Sequence, residues 1–157
     1  MFKEKKFIKS QILFESILEE LKNRPVQFTV TGMSMWPFIC HGRDQVIIEK
    51  CRLDDIKVGD IVLYKISSSQ YILHRITDIK NRIFETTGDG NCYRDGYYDI
   101  ACIQAIVTKI IRKNKVINCQ NIIWKIIFKV WMVLFPIRHS LLSILKNISH
   151  IKNKMRK

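Results

Sequence analysis

Between Val26 and Asn121 no helical period is sustained; short β-branched or aromatic runs stand there instead, each about one strand long. They fall at 26–31, 45–49, 61–66, 71–79, 82–87 and 101–112. His41-Gly42-Arg43-Asp44, Val58-Gly59-Asp60, Ser67-Ser68-Ser69 and Gly88-Asp89-Gly90-Asn91 separate them. Glycine reaches the backbone angles of tight turns, and Asp, Asn and Ser close turns with side-chain hydrogen bonds. This pattern predicts a compact β domain over 26–118. A chain of 157 residues has room for one such domain and an appendage. No internal repeat or low-complexity segment is present.

Both ends read as helix. Phe7, Ile8, Ile12, Leu13, Ile17, Leu18 and Leu21 recur at helical spacing among Glu15, Glu19, Glu20 and Lys22. One amphipathic helix over about 5–23 is expected, ended by Asn23-Arg24-Pro25 and forming an N-terminal element over 1–25. With Lys3, Glu4, Lys5, Lys6 and Lys9 inside it, this segment reads as neither a signal peptide nor a membrane span. At the other end, Ile122 to Phe135 is apolar except for Lys125 and Lys129, four residues apart. Pro136 interrupts the run, and Leu141-Leu142-Ser143-Ile144-Leu145 continues it toward a basic end at Lys152 to Lys157.

Charge separates the domain from this tail. Of the net +13, residues 1–30 carry +2, residues 31–100 carry −1, and residues 101–157 carry +12 with no acid at all. An anionic partner is therefore expected at the tail, 119–157. Fourteen mostly apolar residues are short for a span. Tryptophans beside two lysines suit a helix lying in the interface of an anionic membrane. A helix packed on the β domain with its lysine stems snorkelling is the alternative, and a deeper tilted insertion past Pro136 is a third. Nucleic acid is not expected, because the cations alternate with large aliphatic residues.

Cys40, Cys51, Cys92, Cys102 and Cys119 are odd in number, with no C-x-x-C pair and no histidine at metal-ligand spacing. Neither a zinc site nor a disulfide framework is expected, and free thiols are the default. No glycine-rich phosphate loop appears, so no metal, nucleotide or other cofactor is called for.

Thr31-Gly32-Met33-Ser34-Met35-Trp36-Pro37-Phe38 is the densest unusual segment. A serine just after a glycine can present its Oγ and its own N–H to one point. It becomes a nucleophile only beside a base that is itself oriented. Gly32-Met33-Ser34-Met35-Trp36-Pro37 resembles the G-x-S-M-x-P box around the nucleophile of type I signal peptidases, and Gly-Met-Ser-Met also resembles the cleavage box of LexA-type self-cleaving repressors. Gly59-Asp60-Ile61-Val62-Leu63-Tyr64-Lys65 resembles the same family's G-D-I-V-x-x-K strand. Leu73-His74-Arg75-Ile76 resembles the H-R-V segment of the endoplasmic-reticulum, archaeal and sporulation enzymes. Thr87-Gly88-Asp89-Gly90-Asn91, with Asp95 after it, resembles their K-G-D-N-N segment and its later aspartate. The four boxes stand in the family's order and cover about 26–112.

The resemblance implies a mainly β fold, a coiled and partly open barrel of the signal-peptidase/LexA kind, with an N-terminal helix and C-terminal amphipathic helices. It implies Ser34 as nucleophile, His74 in the place where the Ser/Lys enzymes carry a lysine, and Asp95 as the catalytic aspartate. A histidine accepts a serine proton near neutral pH and profits from a carboxylate on its other nitrogen. Asp89 is the second choice for that carboxylate and Asp99 the third. Lys65 matches a structural lysine, so no Ser/Lys dyad is expected. Gly32, Met33, Met35 and Pro37 are the expected substrate-binding residues, although Met33, Met35 and Trp36 also suit a core. The Ser34 N–H is the expected oxyanion donor. The bland readings are a core or edge histidine at His74 and an Asx turn at Asp89. The alternation of Tyr71, Leu73 and Arg75 with Ile72, His74 and Ile76 does not decide which face His74 takes. His41, His139 and His150 read as turn or surface residues.

The expected activity is that of a serine endopeptidase cutting a leader or signal segment from a precursor peptide near a membrane, on a face left open. Two alternatives stand beside it: a non-catalytic membrane-surface adaptor, and a LexA-type self-cleaving regulator. For the latter, the first 30 residues are too few for a helix-turn-helix domain.

Overall fold

The computed structural model describes residues 10–67 and 70–154. The start of the expected first helix with Phe7 and Ile8, the Ser68-Ser69 turn, the Ile12 side chain and the side chains from Lys152 onward lie outside the described residues. Helix α1 (Ser10–Leu21) buries Ile17 and Leu21, four residues apart on one face. It ends where Asn23 and Arg24 N–H both donate to the Glu20 carbonyl, just before Pro25.

Eight antiparallel strands follow: β1 (Val26–Thr29), β2 (Asp44–Glu49), β3 (Ile61–Ser67), β4 (Gln70–Lys80), β5 (Ile83–Thr87), β6 (Tyr97–Asp99), β7 (Ile103–Arg112) and β8 (Lys115–Asn118). They form one open sheet in the order β1-β2-β7-β3-β4-β5-β6, with β8 paired to β7. β3 covers Ile103 to Ile106 of β7 and β8 covers Lys109 to Arg112, while β2 pairs Ile106 to Arg112. The β2 and β8 pairings overlap, so β8 extends β7's β3-side edge. The mainly β architecture with helices at both ends is the one expected; β6 and β8 lie outside the six runs.

Apolar side chains occupy both faces of the sheet. One cluster joins Ile17 and Leu21 to Met35, Val46, Ile61, Leu63, Val107 and Phe128. The other gathers Ile56, Val62, Tyr64, Ile76, Phe84 and Ile100. β3 feeds alternate residues to each, which is why Ile61-Val62-Leu63-Tyr64 reads as an unbroken apolar run rather than an alternating one.

Asn121 caps helix α2 (Ile122–Val133) by accepting from Ile123 N–H at 2.9 Å. A 3₁₀ turn at Phe135–Ile137 holds Pro136 and leads into α3 (Arg138–Lys154), the two helical arms meeting at 61°. α2 buries Phe128 and Trp131 against the sheet domain. Its other side leaves Ile122, Ile126, Val130 and Val133 exposed, and α3 adds Ile144, Ile148 and Ile151. The packed helix of the alternative reading thus exists on one face, with an uncovered isoleucine stripe on the other. No single described helix is long and apolar enough to cross a membrane, and the bent pair passes by length and composition alone.

Asp44 ties the loop after the serine segment to β7. Its buried carboxylate accepts from Cys40 N–H at 2.8 Å, Arg43 Nη2 at 2.6 Å and Arg112 Nε at 3.0 Å. Burial alone would push this carboxyl up, but those hydrogen bonds outweigh it and hold it below the usual carboxylate value. A lowered folded-state value gives stability that is complete above the unfolded pKa of about 3.9 and is lost as pH falls through the folded one. Asp44→Asn should therefore cost about 1–3 kcal/mol near neutral pH. In urea unfolding the gap between parent and variant should close as pH is taken below about 4.

Candidate active site

Ser34 sits in a tight turn set into the first cluster by Met35, with Ile39 closing it through an N–H bond to the Met35 carbonyl at 2.8 Å. The Ser34 carbonyl is held from the other side. Gly90 N–H donates to it at 2.7 Å, across 56 residues of sequence (90 − 34). This contact demands glycine twice. A Cβ on Gly88 would lie 2.5 Å from the Ser34 carbonyl oxygen and 3.0 Å from His74 Nε2, and one on Gly90 would lie 2.9 Å from the Met33 and Trp36 oxygens. The Gly88-Asp89-Gly90 turn is thus a backbone-on-backbone seat for the serine turn.

β4 supplies the two residues beneath that seat. His74 stands opposite Val62 of β3, on the face of Tyr64. Arg75 stands opposite Ile61 and takes the other face. β5 pairs β4 only from Arg75 onward, so among the described residues the edge of β4 before it has no strand on that side. The uncovered edge forms one wall of a cleft of about 280 Å³ lined by Gly32, Ser34, Met35, His74, Asn91 and Tyr93.

His74 Nδ1 lies 2.5 Å from Asp95 Oδ2. Thr86 Oγ1 donates to the same carboxylate oxygen at 2.9 Å and lies 2.8 Å from Tyr64 Oη. Since the Thr86 proton goes to Asp95, Tyr64 is the donor to Thr86. Burial raises the Tyr64 pKa, which keeps its phenol protonated in that role. Asp95 is also fixed through its backbone: its N–H donates to the Thr86 carbonyl, and Tyr98 Oη donates to its own carbonyl. The imidazole therefore turns Nε2 toward the cleft, its ring set by an aspartate that is itself held at its carboxylate, its N–H and its backbone carbonyl.

Arg75 and Asp89 form a second unit. Both are 1% exposed, and the guanidinium bonds both carboxylate oxygens at 2.8 and 2.6 Å. Arg75 Nη1 reaches the Gly59 carbonyl at 2.8 Å, and the group lies 4.0 Å from the Phe128 ring centroid. Trp131 Nε1 donates to the Asp89 carbonyl. Arg138, 1% exposed, donates to the carbonyls of Gly88, Asn91 and Trp131 and lies over the Phe135 ring. Burial draws its pKa below the ordinary arginine value. The loop seating Ser34 is thus pinned from below by β4 and from outside by the tail helices.

Of the three aspartates considered for His74, Asp95 touches it. Asp89 binds Arg75, and Asp99 caps the 3₁₀ turn at Ile100–Cys102 by accepting from Ala101 N–H. Gly32 and Met35 line the cleft with Ser34, Met35 from within the core. Met33, 57% exposed, and Pro37 are not among its lining residues; the Pro37 carbonyl accepts from Arg43 instead. Lys65 lies over the Tyr71 ring and is not among the residues lining the Ser34 cleft. Ser34 Oγ and its N–H make no hydrogen bond among the described residues, so the Ser34–His74 link is a shared cleft and not a bond. His41, His139 and His150 are exposed. The five cysteines are free, and no cluster of metal-ligating side chains occurs among the described residues.

Sequence reasoning passed over Thr86, Tyr64, Trp131 and Arg138. Arg138 follows Pro136 in a run that reads as an apolar tail, and nothing in its spacing marks it as facing inward. Compared with known proteins, the chain matches no protein-family model and no curated protein.

The two aspartates should separate on mutation. Asp89→Asn leaves the Arg75 charge buried and uncompensated, a loss of about 3–5 kcal/mol. Asp95→Asn keeps a hydrogen-bonding group beside the His74 ring and should cost under about 1.5 kcal/mol. Urea unfolding of both variants checks this, and the reverse order would contradict these assignments.

Proposed function

We propose that the chain is a serine endopeptidase of signal-peptidase type, cutting a leader or signal segment from a precursor peptide beside a membrane. One observation carries the reading: His74 is oriented by Asp95 at 2.5 Å while lining the same cleft as Ser34. The order of the four sequence boxes supports it, as does an antiparallel sheet that the proposal takes as the open barrel of the signal-peptidase/LexA kind.

In this reading His74 Nε2 takes the Ser34 Oγ proton as Oγ attacks the scissile carbonyl. Asp95 fixes the tautomer and stabilises the imidazolium that forms. The developing oxyanion is met by the Ser34 N–H. His74 then gives the proton to the leaving amine, and water, deprotonated by the same nitrogen, releases the acyl group. Bonds between nucleophile and base are often long until substrate closes the site, which accommodates a Ser34 Oγ without a partner. The uncovered edge of β4 offers backbone groups to an extended peptide, with Gly32 and Met35 on the cleft wall.

The exposed isoleucines of α2 and α3 are the surface that would rest on an anionic membrane, with Lys125 and Lys129 at its margin. A membrane-surface adaptor would use the same face and have no need of Ser34.

Kinetics decide between them. Ser34→Ala, His74→Ala and Asp95→Asn should each lower kcat/KM on a cleaved precursor by about 10⁴-fold. The Ser34→Ala/His74→Ala double variant should fall little further, because the residues act as one unit. Multiplicative losses, or none, would count against the triad.

A further inference from the structure

A second cleft, of about 810 Å³, opens between α2 and the sheet, away from Ser34 and His74. Its volume lies within the roughly 300–1,000 Å³ of small-molecule sites. Ile61, Ile106, Val107, Phe128 and Met132 give it an apolar lining, and the Met132 methyl closes over the Gly59 backbone. Around it stand Lys50, Arg52, Lys57, Lys125 and Lys129, against two carboxylates, Asp55 and Asp60. The formal balance is five minus two, +3. None of the five cations is within salt-bridge distance of a carboxylate among the described residues, although nine ion pairs form elsewhere among them. Asp60 is partly used up by its own turn, where it accepts from Lys57 N–H at 2.8 Å.

An apolar floor beside five cations, none ion-paired among the described residues and with only two carboxylates among them, fits a ligand with an apolar body and an anionic head. A free anion would leave the floor unfilled, and a neutral amphiphile would leave the cations unmet. Continuity selects among such ligands: Lys125 and Lys129 belong to the helix that exposes Ile122, Ile126, Val130 and Val133 on its outer face. A lipid leaving the bilayer surface against that face would meet these lysines first. We propose that this cleft binds one anionic phospholipid, an acyl chain against Ile106 and Phe128 and the phosphate at Lys125 and Lys129. The proposal rests on the membrane-surface reading of the tail and is independent of the peptidase chemistry.

The test is calorimetric titration of the full chain with dihexanoyl phosphatidylglycerol below its micelle concentration, set beside dihexanoyl phosphatidylcholine and glycerol phosphate. One-to-one binding of the phosphatidylglycerol is expected, at least about tenfold tighter than the phosphatidylcholine, with no measurable heat from glycerol phosphate. Ile106→Trp should obstruct the acyl-chain end of the cleft and weaken binding at least about tenfold. Lys125→Glu with Lys129→Glu, on the surface where folding is not at risk, should weaken it at least about tenfold. Equal affinity for the two lipids, glycerol phosphate binding as tightly, displacement by an acidic peptide alone, or no effect of the lysine pair would overturn the assignment. Flotation with phosphatidylglycerol vesicles separates the two readings. Ile126→Asp with Val130→Asp should release the protein from vesicles and leave the short-chain titration unchanged. Flotation without saturable short-chain binding sinks the lipid site alone; short-chain binding without flotation sinks the membrane reading and leaves the site standing.

Discussion

Arg75 and Asp89 are the charges on which the rest of the arrangement leans. Their pair is buried, so its net contribution to stability over an apolar substitute is small, while loss of either partner is costly. What the pair supplies is position. Asp89 lies between Gly88 and Gly90, the residues that receive the Ser34 turn, and Arg75 follows His74 on β4. One fork-shaped contact therefore registers the strand carrying the histidine against the loop that seats the serine turn. Two consecutive residues on opposite faces of one strand divide the labour: His74 faces Asp95 and Arg75 faces Asp89.

The tail belongs to this arrangement and is no mere appendage. Phe128 covers the Arg75 guanidinium, Trp131 holds the Asp89 carbonyl, and Arg138 closes over the carbonyls of Gly88 and Asn91. A buried arginine satisfied mainly by carbonyl dipoles and aromatic faces is expensive, and its Nε has no partner among the described residues. That cost is met only while α2 stays seated. The same helices carry an uncovered apolar stripe outward, so one rigid element joins that stripe to the loop that seats the serine.

Much of this was legible in the residues. The six apolar runs became strands with no end shifted by more than two residues, because period and turn chemistry are local signals. β6 and β8 were missed, being three and four residues long. The turn between β7 and β8 is made by Lys113 and Asn114 at φ 46 and 64, a left-handed pair without the usual glycine. The face of His74 was not legible, since both faces of the sheet are buried and both alternating sets hold apolar residues; the register with Val62 decided it. Asp95 came from the resemblance and from no spacing rule. Thr86 bonds Asp95 9 residues on (95 − 86), Tyr64 bonds Thr86 22 residues on (86 − 64), and Arg138 reaches the Gly88–Asn91 loop 47 or more residues back (138 − 91), which no local pattern encodes.

The most direct test incubates the parent protein and Ser34→Ala, each with anionic vesicles, against a panel of leader-type precursor peptides, and reads the products by mass spectrometry. A peptide cut at one position by the parent and left whole by Ser34→Ala is the predicted result. Equal cutting by the two proteins would contradict Ser34 as the nucleophile, and with it the central claim.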